Sequence, residues 1–541
     1  MPEHGVFAWL RERRLLVGLA VGFPLVEMAV LAAWGLRSGL SLAGQVTAPG
    51  PFGVFHDLRW LFVFHDSTLA FVLGGVVLVA ARSLLGALLV RAAWPGTPPP
   101  FGVLVRHAAT ITIVAAVFLS PWVTLLFGAA VIPLSWIYFA AVPPALATVL
   151  LLHHGGVDAG WWRRLPPARS AAWMTLAVLV LSLSALGVAG QPAPVAAAVL
   201  VGTGLFNAWA WEHSVRVIVT GLPHRSRRLV PVTVLTALLL LAGVVGGSKV
   251  GFAARAGQDP GVWVPGGAGA GVRAVLLVGG FASGCCDEGR ILRGDEPGWY
   301  VEQFSYLGVT AEGDPLPHPG SATDSDLARS ARLMAVQVDG LAQRSGGPVA
   351  IVAESEGTLV VTAYLGDHPG APVDRLMLLS PILDPVRATY PDPGVAGPGV
   401  VAGYQLRALA VLIDAMAPIA ISADGPLADS LRREAAQLRG AAGCERPGIE
   451  EVAVVPLADA VTGPAGGDPG IPVIVVPGFH GGLRGRPDVQ EMVRGWVRGE
   501  SLDGSPVWMT VGRIIAGAAS AWHVPGLDRP GSEGWGCPAA G

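Results

Sequence analysis

Hydrophobic residues fall along this chain in two rhythms. Up to residue 247 they come in long, nearly unbroken runs, and beyond residue 270 in short runs separated by amphipathic stretches. The long runs lie near 15–36, 67–89, 107–128, 131–153, 171–189, 194–213 and 229–247. Each is long enough, or nearly so, to cross about 30 Å of hydrocarbon as a helix. The stretch 107–153 is almost continuous, and Pro121 or the Gly128 region is expected to mark its turn. The short runs 274–278, 303–307, 349–353, 376–379, 452–455 and 473–476 read as buried strands. Leu327, Ala331, Met334, Val338 and Leu341 share one helical face, and 358–365 and 489–497 read as further helices. Strands alternating with helices predict a mostly parallel sheet covered on both faces. The expected organisation is a transmembrane bundle of about seven helices over 1–247, a Gly/Pro-rich linker over 248–270, an α/β domain over 271–500 and a C-terminal tail over 501–541 packing on that domain.

Composition sharpens this division. The 541 residues are 52% hydrophobic and 14% charged, with mean hydropathy +0.55. A soluble domain carries about 25% charged residues, so a wholly soluble or disordered chain is excluded. Residues 1–247 hold 15 Arg against 7 acidic residues, and the remainder holds 21 basic against 32 acidic. No basic stripe interleaves with aromatics, so a nucleic-acid partner is not expected. Abundant Gly and Ala, with Lys249 as the single lysine, suggest a GC-rich bacterial genome.

Arginine sets the expected orientation. Arg11, Arg13, Arg14, Arg82, Arg91, Arg106, Arg163, Arg164, Arg169, Arg216, Arg225, Arg227 and Arg228 fall on alternate connections, against Arg37 and Arg59 on the others. The positive-inside rule places the N-terminus in the cytoplasm and, after seven crossings, the α/β domain outside. The first run is too long for a cleaved signal peptide and holds Glu27, so it reads as a retained anchor. Glu27 marks either an ion or substrate path or a carboxyl satisfied within the bundle. His65 and Asp66 read as a solvated interface. The four cysteines, Cys285, Cys286, Cys444 and Cys537, all lie in the outer half, where at least one bridge is expected with the pairing open. No metal-ligand spacing is present.

The sharpest chemical signal is VAIVAESEGTLVV at 349–361. A strand ends at Ala353, Ser355 follows, and Gly357 opens a helix, an A-x-S-x-G form of the nucleophile elbow. Small residues two before and two after the serine are needed because larger ones collide across so tight a turn. The helix N-terminus favours negative charge developing at the hydroxyl. Glu354 and Glu356 flank the serine and read as supporting or solvated groups.

On these residues, and on the order of elements over 271–500, the chain resembles the α/β-hydrolase superfamily. The resemblance implies an oxyanion-hole loop after an early strand. LLVGGF at 276–281 supplies one, with Gly279 and Gly280 where relatives often carry His-Gly, and the implied donors are the N–H groups of Glu356 and of Phe281 or Ala282. It also implies the order serine, acid, histidine. Asp459 follows the 452–455 strand and His480 the 473–476 strand, with Asp384, one strand earlier, as the alternative acid. His318, His368 and His523 lack that strand-end context. A helical cap insertion is implied over about 381–450, or else helices that complete the core. The expected function is an extracytoplasmic, membrane-anchored serine hydrolase or acyltransferase acting on an apolar acyl or lipid substrate, without cofactor or metal. Peptidase or thioesterase action is an alternative on the same fold. A transporter or sensor bundle with a non-catalytic outer binding module is another.

Overall fold

A computed structural model describes residues 6–163, 165–220, 231–240, 242, 273–286, 298–416, 422–441, 445–463 and 470–527. Among them are six helices long and apolar enough to cross a membrane. They are Arg14–Ala33, Thr68–Ala93, Phe101–Val131, Ser135–Leu152, Ala168–Val188 and Ala193–Thr220, termed spans 1 to 6. Of the expected seventh run only 231–240 and 242 are described, and 232–240 are helical. The linker at 248–270 lies outside the described residues. Span 3 continues through both Pro121 and Gly128 and turns only at Pro133. A proline inside a membrane helix is tolerated because neighbours satisfy the freed carbonyl.

The connection between spans 1 and 2 carries more structure than its hydropathy suggests. Arg37–Gln45 forms a 3-10 helix and Phe52–Val63 an α-helix whose side chains are mostly buried. Thr47 Oγ1 donates to Ala20 O of span 1 (2.9 Å), Asn207 Nδ2 donates to Gly44 O (3.0 Å) and Trp211 Nε1 donates to Thr47 O (2.9 Å). Gly50, at the tip, shares a pocket with His153 at the far end of span 4. The segment is a hairpin folded back among the helices, a re-entrant one if they span a membrane, and these bonds satisfy its buried polar groups. His65 follows it. It is not solvated as the sequence suggests: it is buried, and its Nε2 accepts from Val401 N (2.8 Å). Asp66 beside it is exposed.

The second part is a six-stranded parallel sheet in the order β2-β1-β3-β4-β5-β6. The strands are β1 (Arg273–Val278), β2 (Trp299–Gln303), β3 (Val349–Glu354), β4 (Val373–Leu379), β5 (Glu450–Pro456) and β6 (Val473–Val476). The strand expected at 303–307 sits one element-length earlier, because Tyr300 and Val301 supply the buried positions beside β1. Alternate residues feed two cores. Leu276, Ile351 and Leu378 pack with α1 (Leu327–Ser345) and α2 (Glu356–Asp367). Val275, Val352 and Met377 pack beneath Val489, Val493 and Trp496 of a helix over Pro487–Arg498.

The β4–β5 insertion divides its work. Pro426–Arg433 and Ala435–Ala441 pack on α1 and α2 and complete that core. Val400–Met416, termed α3, lies instead on span 3, where Gln405 Oε1 accepts from Ser120 Oγ (3.0 Å) and Thr124 Oγ1 (2.6 Å). The tail, expected on the α/β domain, threads into the bundle as well. Helix Pro506–Ala519 touches β6 and span 5, and Trp522 Nε1 donates to Ser182 Oγ (2.9 Å). Arg59 of the hairpin, fully buried, donates to Ala521 O and His523 O (2.8 Å each).

Candidate active site

Ser355 sits between β3 and α2 with φ 56° and ψ −121°. A non-glycine residue there costs on the order of 1–3 kcal/mol and is kept only where neighbours dictate it. Ser355 N–H donates to Leu379 O (3.0 Å), and Thr358 N–H donates to Ser355 O (2.9 Å), which lock both sides of the turn. The small residues are sterically required. A Cβ on Gly357 would lie 2.9 Å from Gly279 O and Val278 O, and one on Gly280 would lie 2.8 Å from Ser355 Cβ.

The structure brings three of the expected residues together. Ser355 Oγ is 2.8 Å from His480 Nε2, and His480 Nδ1 is 2.8 Å from Asp459 Oδ2. Asp459 lies in a short 3-10 turn after β5, and its O accepts from Thr462 N–H and Oγ1. His480 and Asp459 are buried, while Ser355 stays partly accessible. A carboxylate on Nδ1 requires the proton there, which leaves Nε2 to accept from the serine hydroxyl. Asp384, the alternative acid, pairs with Arg387 (3.4 Å). His318, His368 and His523 bond backbone carbonyls of Pro319, Tyr364 and Val461.

Both glutamates beside the serine are buried, which corrects the solvated alternative. Glu354 Oε1 accepts from Gly482 N–H (2.9 Å) and Leu483 N–H (3.0 Å), and Oε2 pairs with Arg484 Nε (2.5 Å). One carboxylate thereby anchors the loop that carries His480. Sequence reasoning missed this role; the signal was the run of small residues and Arg484 just after His480. Glu356 has no partner for either oxygen among the described residues, and burial, reinforced by Asp324, pushes its carboxyl well above the usual carboxylate range.

The oxyanion-hole expectation narrows. Ala282 N–H donates to Thr323 Oγ1 (2.8 Å), so it is engaged, whereas Phe281 N–H shows no acceptor among the described residues. Tyr306 OH donates to Gly279 O (2.9 Å) and pins that turn. Cys285 and Cys286, neighbours in sequence, are joined as a disulfide; Cys444 and Cys537 lie outside the described residues. Chemically, the array permits the hydroxyl proton to pass to Nε2.

No protein-family model and no curated protein matches this chain. Among solved structures it is similar to the crystal structure of a metagenomic carboxyl esterase, with 15% identity, 48% of this chain and 76% of that chain covered, and a TM-score of 0.24. A score this low carries no weight for fold or function.

Proposed function

We propose that this protein is a membrane-embedded serine hydrolase of α/β-hydrolase type, cleaving an ester or transferring its acyl group. The observation that carries the reading is the relay from Ser355 through His480 to Asp459, both links 2.8 Å, at a strand–turn–helix elbow. Ser355 Oγ attacks the acyl carbonyl carbon as its proton passes to His480 Nε2. Asp459 holds the imidazole and stabilises its charged form. The oxyanion is met by the N–H groups of Glu356 and Phe281. The leaving alcohol takes the proton from His480, and water or another acceptor resolves the acyl-serine. In the test, purified full-length protein turns over p-nitrophenyl butyrate and Ser355→Ala abolishes both turnover and fluorophosphonate labelling. Equal turnover by the variant contradicts the reading.

In this reading the N-terminus is cytoplasmic and the α/β layers lie outside. Arg13 bonds Glu212 of span 6 (3.2 Å) and Ala92 O of span 2 (3.3 Å), which gathers one set of helix ends. The α/β layers meet the opposite set, at Val131 and Pro133. A chain leaving span 6 at Thr220 then needs one more crossing to reach β1, and the helical residues 232–240 lie on that route.

One observation favours a second reading, in which the bundle moves a cation or senses one. Glu27 Oε1 lies 2.8 Å from His56 Nε2, and His56 Nδ1 lies 2.8 Å from Asp57 Oδ1. Arg82 closes the chain on Asp57 (2.8 Å). That reading predicts loss of function in Glu27→Gln and silence in Ser355→Ala.

A further inference from the structure

The parallel strands all deliver their C-terminal ends toward the bundle, and three segments leaving those ends touch it. After β4, the N–H groups of Val386 and Arg387 donate to Val131 O and Ala130 O at the end of span 3 (2.8 Å each). After β5, Thr462 Oγ1 donates to Pro133 O (3.1 Å). After β6, the ring of Phe479 meets that of Phe139 in span 4, with centroids 6.4 Å apart and planes at 70°. The sheet edge that carries Ser355 Oγ therefore faces the membrane helices, and the far edge faces away.

The aromatic pair bridges two environments. Phe139 is four residues into span 4, about 6 Å along the helix from its first residue, and 42% exposed. Phe479 is 66% exposed and adjoins His480, whose Nε2 reaches Ser355 Oγ. A phenylalanine left in water beside a buried base forgoes about 25 cal/mol for each Å² of its apolar surface. The same ring at the edge of a bilayer loses nothing, and an exposed apolar patch rimmed by polar groups marks an interaction surface. Phe281, of the turn expected to hold the oxyanion, is also exposed. The nearby α3 shows Tyr404, Val411 and Leu412 to the outside while it lies on span 3. The exposed Phe139–Phe479 pair thus joins span 4 directly to the residue beside His480.

We infer that the substrate is an ester-linked membrane lipid that reaches Ser355 laterally from the adjoining leaflet, its acyl chain passing along Phe139 and Phe479. This rests on the hydrolase reading above. Attack by Ser355 Oγ on the acyl carbonyl carbon forms the acyl-serine ester and breaks the lipid C–O bond. The proton held by His480 goes to the released alcohol. Water then gives its proton to His480, its oxygen joins the carbonyl carbon, and the carboxylic acid leaves as Ser355 recovers the proton.

The test uses the full chain in phosphatidylcholine vesicles doped with phosphatidylglycerol bearing a photoactivatable diazirine in one acyl chain. In Ser355→Ala, illumination labels peptides containing Phe139 and Phe479. In the chain with Ser355 intact, the rate on vesicle phosphatidylglycerol divided by the rate on p-nitrophenyl acetate falls at least ten-fold when Phe139→Ala and Phe479→Ala are combined. Labelled spans with no label near Phe479, or a ratio within two-fold of the unmodified chain, overturns the lateral path. Fluorophosphonate reaction at Ser355 separates the two claims. Reaction without the lipid cross-link removes the path alone, and no reaction removes the substrate assignment together with the hydrolase reading.

Discussion

His56 and His480, one in each half of this chain, both bond carboxylates, and their surroundings differ in a telling way. His56, in the hairpin, has a carboxylate on each ring nitrogen, from Glu27 and Asp57, with Arg82 behind Asp57. His480 has one carboxylate and one hydroxyl, and that hydroxyl belongs to a serine held in a strained turn. Both imidazoles are buried. Burial and a carboxylate partner are thus shared, and the distinction lies in whether a serine hydroxyl occupies one nitrogen. The first arrangement ties a polar hairpin into an apolar bundle; the second, in the proposed reading, prepares a proton transfer.

The contrast can be broken first at the nucleophile. Ser355→Ala should lower ester turnover on the order of 10⁴-fold or more, as expected when one member of a cooperating set is removed, measured with p-nitrophenyl butyrate. Next comes the acid. Asp459→Asn should cost about 10⁴-fold in kcat because the imidazole tautomer is lost, while Asp384→Asn should stay within about three-fold; equal losses would erase the assignment of the acid. A smaller effect is expected at the loop anchor. Glu354→Gln leaves Arg484 without its buried partner, so thermal unfolding should reveal a loss of about 3 kcal/mol, with slower turnover as the His480 loop loosens.

The smallest effect concerns Glu356 and carries a sign. Its folded-state pKa is raised above the ordinary value, chiefly by burial. The stability that goes with its protonated form is complete below the unfolded pKa, about 4.3, and is lost as pH rises toward the folded value. Glu356→Gln should therefore flatten the fall of Tm between pH 5 and pH 8 and leave the variant the more stable at pH 8, by roughly 2–4 °C per kcal/mol. Parallel pH profiles for the two proteins would contradict this.

What the sequence disclosed follows the range of the forces involved. Spans are local, since twenty apolar residues announce themselves, and the elbow is local, since Ala353 and Gly357 are small for a reason acting across one turn. The strands ending before Ser355, Asp459 and His480 were legible through alternation, while the roles of Asp459 and His480 came from the resemblance to α/β-hydrolases. The hairpin was not legible, because Phe52–Val63 mixes His56, Asp57 and Arg59 into an apolar stretch too short to span. Its charges are acceptable only through partners far away in sequence, such as Arg82, Ala521 and His523. The turn between spans 3 and 4 was misplaced for a related reason: Pro121 breaks helices in water, whereas in a bundle other helices satisfy the freed group. Whether Glu354 was supporting or solvated stayed open in the sequence because its partners lie more than a hundred residues downstream.

The central claim is that Ser355 is a nucleophile activated by His480 on the outer side of the membrane. Intact expressing cells treated with a membrane-impermeant fluorophosphonate, followed by mass spectrometry of the purified chain, test both parts together. The account predicts modification of Ser355 in intact cells, and its loss in His480→Ala. An unmodified Ser355 in intact cells, or one that reacts only after the membrane is permeabilised, would contradict it.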